Sequence, residues 1–274
     1  MIDHSHRAQE LQKRLAPTGV IHRVVELPET DSTNLRLKEG DYPPGTLLFT
    51  LNQRRGRGRL GREWSAPAGS CLAMSVLLPP SLPDETTRPL LPLCAALAVC
   101  EGLKQVCGRD DFLIKWPNDI ICSGLKICGI LCEHSFFDQQ QRTVCGMGIN
   151  LTQSQEDFTR EGLPHAGSLA MLCNDPPPAE MVAAAVCGAL AEILKQTQQN
   201  GVAALLRAYA ERSATLGRQV RILNGKEDFT GIADSLTSDG SLVVQTADGA
   251  RTVCAGEVSV RGLYGYLPEN DSHA

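Results

Sequence analysis

The chain has 274 residues, 42% of them apolar, and carries 26 lysines and arginines against 31 aspartates and glutamates, for a net charge of -5. That length supports one large domain plus a small one, and the negative balance is the wrong sign for a protein whose main partner is a polyanion, so any anion site must be local. The opening MIDHSHRAQELQKRL has no apolar signal core, no later stretch reads as long enough to span a bilayer, and the eleven cysteines therefore point to a reducing cytoplasm rather than a disulfide framework.

In chain order, HSHRAQELQKRL reads as a short helix and VIHRVVEL (20–27) as a strand. Asp31 or Ser32 caps a helix that ends near Gly40. TLLFTL (46–51) and CLAMSVLL (71–78) are buried strands that hold between them the segment RRGRGRLGREW, five arginines and three glycines in eleven residues. A helix follows over about 89–107, in whose apolar run Cys94, Cys100 and Cys107 pack as small hydrophobes; no C-x-x-C pair occurs. His4, His6 and His22 find no second cluster that would complete a metal site. DFLIK, DIICSGLKICGILCEHS and RTVCGMGI are strands, with Ser123-Gly124 as a tight hairpin turn, and two helices lie near 179–198 and 201–211. From Leu216 onward QVRIL, EDFTGIADSL, SLVVQT and ARTVC, punctuated by Asn224-Gly225, Asp239-Gly240 and Asp248-Gly249, suggest a small β-barrel of about fifty residues.

Four constellations carry candidate chemistry. In the arginine segment, glycines at 56, 58 and 61 let the backbone approach a ligand, and Arg57 and Arg59 present forks suited to carboxylate or phosphate; a solvated basic loop has the same composition. In KWPND (115–119), Pro117 forces a sharp turn that brings Lys115, Asn118 and Asp119 together, either to bind phosphate and steady a metal–nucleotide complex or as a plain ion pair. Lys126 sits on an apolar strand, where desolvation is costly unless an anion meets it or the stem snorkels out. In GMGIN (146–150), two glycines permit a flat ligand to lie on the backbone and Asn150 can read a base edge, though a strand-end bulge looks the same.

Taken together and in order, DSTN (31–34), GRGRLGR (56–62), KWPND, K-x-x-G-I-L-x-E (126–133) and GMGIN resemble the biotin–protein ligases, and the C-terminal section matches their small terminal domain. The resemblance implies an α+β fold: a catalytic domain (1–213) with a mixed sheet like that of class II aminoacyl-tRNA synthetases, then a small SH3-like β-barrel domain (214–274). It implies that ATP activates biotin as biotinyl-5'-AMP and that the acyl group passes to a lysine of a biotin carboxyl carrier protein, in acetyl-CoA carboxylase or a related carboxylase. Ser32, Thr33, Asn34, Gln53 and Gly56 would form the biotin pocket with Arg57, Arg59 and Lys126. Trp64, Lys115, Asn118, Asp119, Gly148 and Asn150, with Arg59, would serve the nucleotide, and Asp119 its Mg²⁺. Arg57, Arg59, Lys115 and Lys126 would be the catalytic cations.

Leu60 and Glu63 fall where some relatives carry basic residues, which bears only on the charge of the loop. Only thirty residues precede DSTN in the chain, against the winged helix-turn-helix that makes some relatives repressors, so no specific DNA binding is expected, nor membrane association. A monomer or a homodimer fits equally. Two other readings stand beside this one: a lipoate or octanoate ligase of related fold, and an RNA-binding module using the arginine segment, the latter weakened by the acidic balance and only 4% aromatic residues.

Overall fold

Apolar runs broken by glycine and proline set the elements of the computed structural model, which describes residues 6–138, 140–223, 227–255 and 259–261. Helix α1 (His6–Leu15) buries Ala8, Leu11 and Leu15, the i, i+3, i+7 stripe of an amphipathic helix. Strand β1 (Arg23–Glu26) leads to α2 (Thr33–Glu39), whose N-cap is Ser32, its hydroxyl accepting from the Leu35 amide at 3.4 Å. After β2 (Thr46–Thr50), the arginine segment is a small hairpin, β3 (Gly56–Arg57) against β4 (Glu63–Trp64), joined by a tight turn in which Leu60 takes a left-handed φ of 56°. Next come β5 (Cys71–Leu77), α3 (Leu91–Cys107), β6 (Leu113–Lys115), β7 (Asp119–Cys122), β8 (Leu125–Phe137) and β9 (Gln140–Asn150). Helices α4 (Gln155–Arg160), α5 (Leu169–Leu172), α6 (Ala179–Asn200) and α7 (Val202–Glu211) precede the terminal strands.

The main sheet has the order β1-β2-β5-β9-β8-β7-β6. β1 and β2 pair in parallel across the α2 crossover and the other pairs are antiparallel, so the sheet is mixed. Strand periodicity divides its two faces: on β2, Leu47 and Phe49 enter the large core with α3 and α6, whereas Leu48 joins Leu37 of α2, Leu77 and Val144 on the other side. The β7–β8 turn has Ser123 at φ 50° and Gly124 at φ 77°, the paired positive values of a two-residue hairpin.

α3 with its preceding turn corrects one expectation. The stretch Arg88–Cys107 is long and apolar enough to cross a membrane. Eleven of the helix's residues, from Leu91 to Leu103, are buried against the sheet and α6, which assigns it to the core of the fold.

The C-terminal section forms a separate antiparallel sheet in the order β13-β12-β11-β10-β14, made of β10 (Gln219–Leu223), β11 (Phe229–Leu236), β12 (Leu242–Thr246), β13 (Gly249–Val253) and β14 (Ser259–Arg261). The turns at Asp239-Gly240 and Asp248-Gly249 fall as expected, with Gly240 at φ 81° and Gly249 at φ 115°. The Asn224-Gly225 turn and His4 lie outside the described residues. Trp116 ties the two sheets together: its amide donates to Thr215 Oγ1 at 2.9 Å and its indole Nε1 to the Gly240 carbonyl at 3.1 Å.

Candidate active site

A cavity of about 140 Å³, open to solvent, lies under the β3–β4 hairpin, between the start of α2 and the middle of the main sheet. One wall is a polar chain. Gln53 Oε1 accepts from the Thr33 amide at 2.8 Å and from its hydroxyl at 3.2 Å. The fully buried Ser75 hydroxyl lies 2.7 Å from Thr33 Oγ1 and 2.6 Å from Asn34 Oδ1. Asn34 Nδ2 donates to the Leu131 carbonyl at 3.1 Å and to Glu133 Oε2 at 2.9 Å. A buried network with its partners supplied holds one rotamer per side chain, so this wall is preorganised.

The sheet contributes a flat shelf. A Cβ at Gly148 would stand 2.5–2.9 Å from the Trp64 indole, and one at Gly129 2.8 Å from it, so the ring lies directly on strand backbone where only glycine leaves room. A Cβ at Gly146 would meet the Asn34 side chain at 2.0 Å, which makes that glycine a condition of the polar wall. Trp64 also donates from Nε1 to Cys71 Sγ at 3.4 Å.

Five cations, Arg57, Arg59, Arg62, Lys115 and Lys126, face the same space. Lys126 is ion-paired to Asp119 at 2.7 Å and its ammonium stands 5.5 Å from the Trp64 ring centroid. The anion that a lysine on an apolar strand requires is thus supplied across the β7–β8 pair. Arg59 donates to Asn118 Oδ1 at 2.9 Å; burial pulls its pKa below the usual arginine value, and the charge of Asp119 works in the opposite sense. Arg57 stands 3.7 Å from Glu133. Lys115, opposite Asp119 in the β6–β7 pair, lines the cavity at only 5% exposure. The KWPND turn is gripped from behind, where the Tyr209 hydroxyl of α7 lies 3.4 Å from the Pro117 carbonyl. Cations brought together in a partly dry cleft around two carboxylates are arranged to receive anionic groups.

Of the residues singled out in the sequence, Ser32, Thr33, Asn34, Gln53, Arg57, Arg59, Trp64, Lys115, Asn118, Asp119, Lys126 and Gly148 all line this cavity. Two stand apart. Gly56 faces Trp64 in the hairpin, outside the cavity wall. Asn150 is 5% exposed and its amide is spent elsewhere, donating to the Gly167 carbonyl at 3.0 Å and accepting from Gln153 Nε2 at 3.3 Å. Its side chain is therefore not presented to the cavity, because the segment after β9 folds back over it.

Ser75, Glu133 and Lys38 were not singled out. Glu133 closes the K-x-x-G-I-L-x-E spacing, and Lys38 reaches it at 2.8 Å. Burial alone would raise the Glu133 carboxyl, but hydrogen bonds from Lys38 and Asn34 and the charges of Lys38 and Arg57 outweigh it and hold it below its ordinary value. Its place seven residues after Lys126 on the same strand, closing that spacing, was the available signal.

A mixed-sheet domain with a cationic cleft beneath a Gly/Arg hairpin, followed by a small antiparallel sheet, defines a protein–acyl ligase architecture, and comparison with known proteins agrees. Residues 23–150 match the Biotin/lipoate A/B protein ligase family and residues 215–261 the biotin protein ligase C terminal domain. A biotin–[acetyl-CoA-carboxylase] ligase of Paracoccus denitrificans is 31% identical over 86% of this chain and 100% of its own, and that of Mycobacterium tuberculosis is 32% identical over 84% and 86%. The biotin protein ligase of Aquifex aeolicus in complex with biotin and ATP superposes with a TM-score of 0.74 at 29% identity, covering 87% of this chain and 98% of that one. The chain belongs to the biotin–protein ligase family.

Proposed function

We propose that the cavity activates biotin with ATP and passes it to a carrier lysine. A biotin carboxylate oxygen attacks the α-phosphorus of ATP, the bond from that phosphorus to the α,β-bridging oxygen breaks, and pyrophosphate leaves with biotinyl-5'-AMP remaining. The amine of a carrier-protein lysine then attacks the acyl carbon, AMP departs, and the amine's proton is lost to solvent. The observation that carries this reading is the convergence of Lys126, Arg59, Arg57, Arg62 and Lys115 on one cavity whose opposite wall presents the hydrogen-bonding side chains of Thr33, Asn34 and Gln53.

Ser32, Thr33, Asn34 and Gln53 would hold the polar ring system of biotin, and Arg57, Arg59 and Lys126 its carboxylate and then the adenylate phosphate. Lys115, Asn118, Trp64 and Gly148 would serve the nucleotide. Attack of carboxylate on phosphate brings anion to anion, and preorganised positive charge lowers that barrier. Mg²⁺ would supply further charge to the phosphates. Among the described residues no group of three or more metal-ligating side chains gathers, so Asp119 with the nucleotide's own oxygens would hold it, as this ion commonly accepts. Residues 1–213 would be the catalytic domain, with a sheet of class II aminoacyl-tRNA synthetase type, and 214–274 an SH3-like domain; the small antiparallel sheet supports the second part. Free cysteines throughout favour a cytoplasmic setting. Competing biotin against lipoate and octanoate in an adenylation assay tests the substrate: biotin is expected to dominate, and preference for either fatty acid would overturn the assignment.

A further inference from the structure

Not every arginine of the hairpin segment points at the cavity. Arg54 and Arg55 are exposed and take no part in lining it; they line a second concavity on the outer face of the hairpin, with Arg57 and Arg62 as its other cations and Asp31 and Glu63 as its carboxylates. Their backbones are fixed, the Arg54 amide donating to the Thr30 carbonyl and the Arg55 amide to the Asp31 carbonyl, each at 2.8 Å. Arg54 is 70% exposed and pairs with Glu29 at 2.6 Å, whereas the Arg55 guanidinium has no hydrogen-bond or ion-pair partner among the described residues. These two guanidinium groups therefore stand on hydrogen-bonded backbone at the rim of the site, positive against a chain that is negative overall.

Taking the ligase reading as given, the second half-reaction supplies the reason. A lysine amine reaches no further than its four-carbon stem allows, so the carrier's surface must come down onto the rim of the cavity for that amine to meet the acyl carbon. That amine enters a mouth already crowded with cations, and like charges oppose its approach. Carboxylates on the carrier beside the acceptor lysine, met by guanidinium groups outside the reaction cavity, would turn this repulsion into attraction. We propose that Arg54 and Arg55 form a docking rim that reads acidic residues flanking the acceptor lysine of the carrier protein.

The test uses the whole enzyme and, as probe, the biotin-accepting domain of an acetyl-CoA carboxylase, alongside a version of that domain with the acidic residues around its lysine changed to Asn and Gln. In Arg54→Glu/Arg55→Glu, pyrophosphate release from ATP and biotin without the domain is expected to match wild type. The KM for the domain is expected to rise on the order of ten-fold at low salt, with the gap closing at high salt as rim charges are screened. Arg55→Ala should fall between, and the neutralised domain should erase the difference between variant and wild type. A domain KM within two-fold of wild type would overturn the proposal. So would a raised KM for ATP, which would place the two arginines on the nucleotide, or loss of salt-sensitive oligonucleotide binding with the domain KM unchanged. Absence of biotinyl-AMP from wild type would instead bring down the ligase reading beneath it.

Discussion

Lys126 shows how a single charge is kept ready. Its pairing to Asp119 at 2.7 Å and its place beside the Trp64 ring hold the ammonium in the cavity before any ligand arrives. If it meets the phosphate as the anhydride forms, Lys126→Ala removes charge stabilisation where it develops, and the rate of biotinyl-AMP formation should fall by about 10²–10³ in a variant that remains folded. Pyrophosphate release alongside circular dichroism checks this. Glu133 makes a different kind of contribution, joining α2 to β8 through Asn34 and Lys38. Its carboxyl is held below the ordinary 4.5, so the stability it contributes is present above that value and is lost as pH falls through the lower folded value. Glu133→Gln should therefore lower the melting temperature most near neutral pH, where Lys38 loses its charged partner, and flatten the acid limb below pH 4.5, where wild type loses that same contribution. An acid limb as steep as that of wild type would contradict the role.

The β3–β4 hairpin is the element on which site and solvent meet. Its glycines and its like-charged arginines favour a hairpin that tightens when an anion enters, so biotin with ATP should protect the 53–69 segment from proteolysis. Equal cleavage with and without ligands would count against that. Gly148→Ala puts a methyl within 2.5–2.9 Å of the Trp64 indole and must displace the ring, and with it the hairpin; the same protection assay should show this variant cleaved readily even with ligands present. Much of this element could be read from the amino acids: the flanking strands TLLFTL and CLAMSVLL, and Ser32 as the cap of α2, sit within a residue or two of where they were expected. The pairing of Gly56 with Trp64 could not, because two-residue strands leave no periodicity. Ser75 was hidden for a related reason. Its strand is buried along its whole length, so the one polar side chain that supports Thr33 and Asn34 becomes legible only once α2 is seen lying over β5. Asn150 erred in the other direction: a residue type suited to reading a base edge turned its amide to the backbone of the following loop.

At the scale of the molecule, the two sheets are joined at the base of the KWPND turn. Trp116 is 2% exposed and its indole donates to the Gly240 carbonyl, so Trp116→Phe leaves a buried carbonyl without its donor and should cost about 1–3 kcal/mol, read as a lowered thermal midpoint. The turn beside it carries Lys115, Asn118 and Asp119, which line the cavity. The cavity, the arginine hairpin and the small sheet together make one claim, that this chain joins a carboxylate to AMP before giving the acyl group to a lysine. Incubating the purified protein with biotin and ATP labelled at the α-phosphate, then adding a biotin-accepting carboxylase domain, tests that claim most directly. The account predicts labelled biotinyl-AMP that needs both substrates and disappears, as AMP and biotinylated domain, when the domain is added. Release of labelled AMP without biotin, or no adenylate with biotin present, would contradict it.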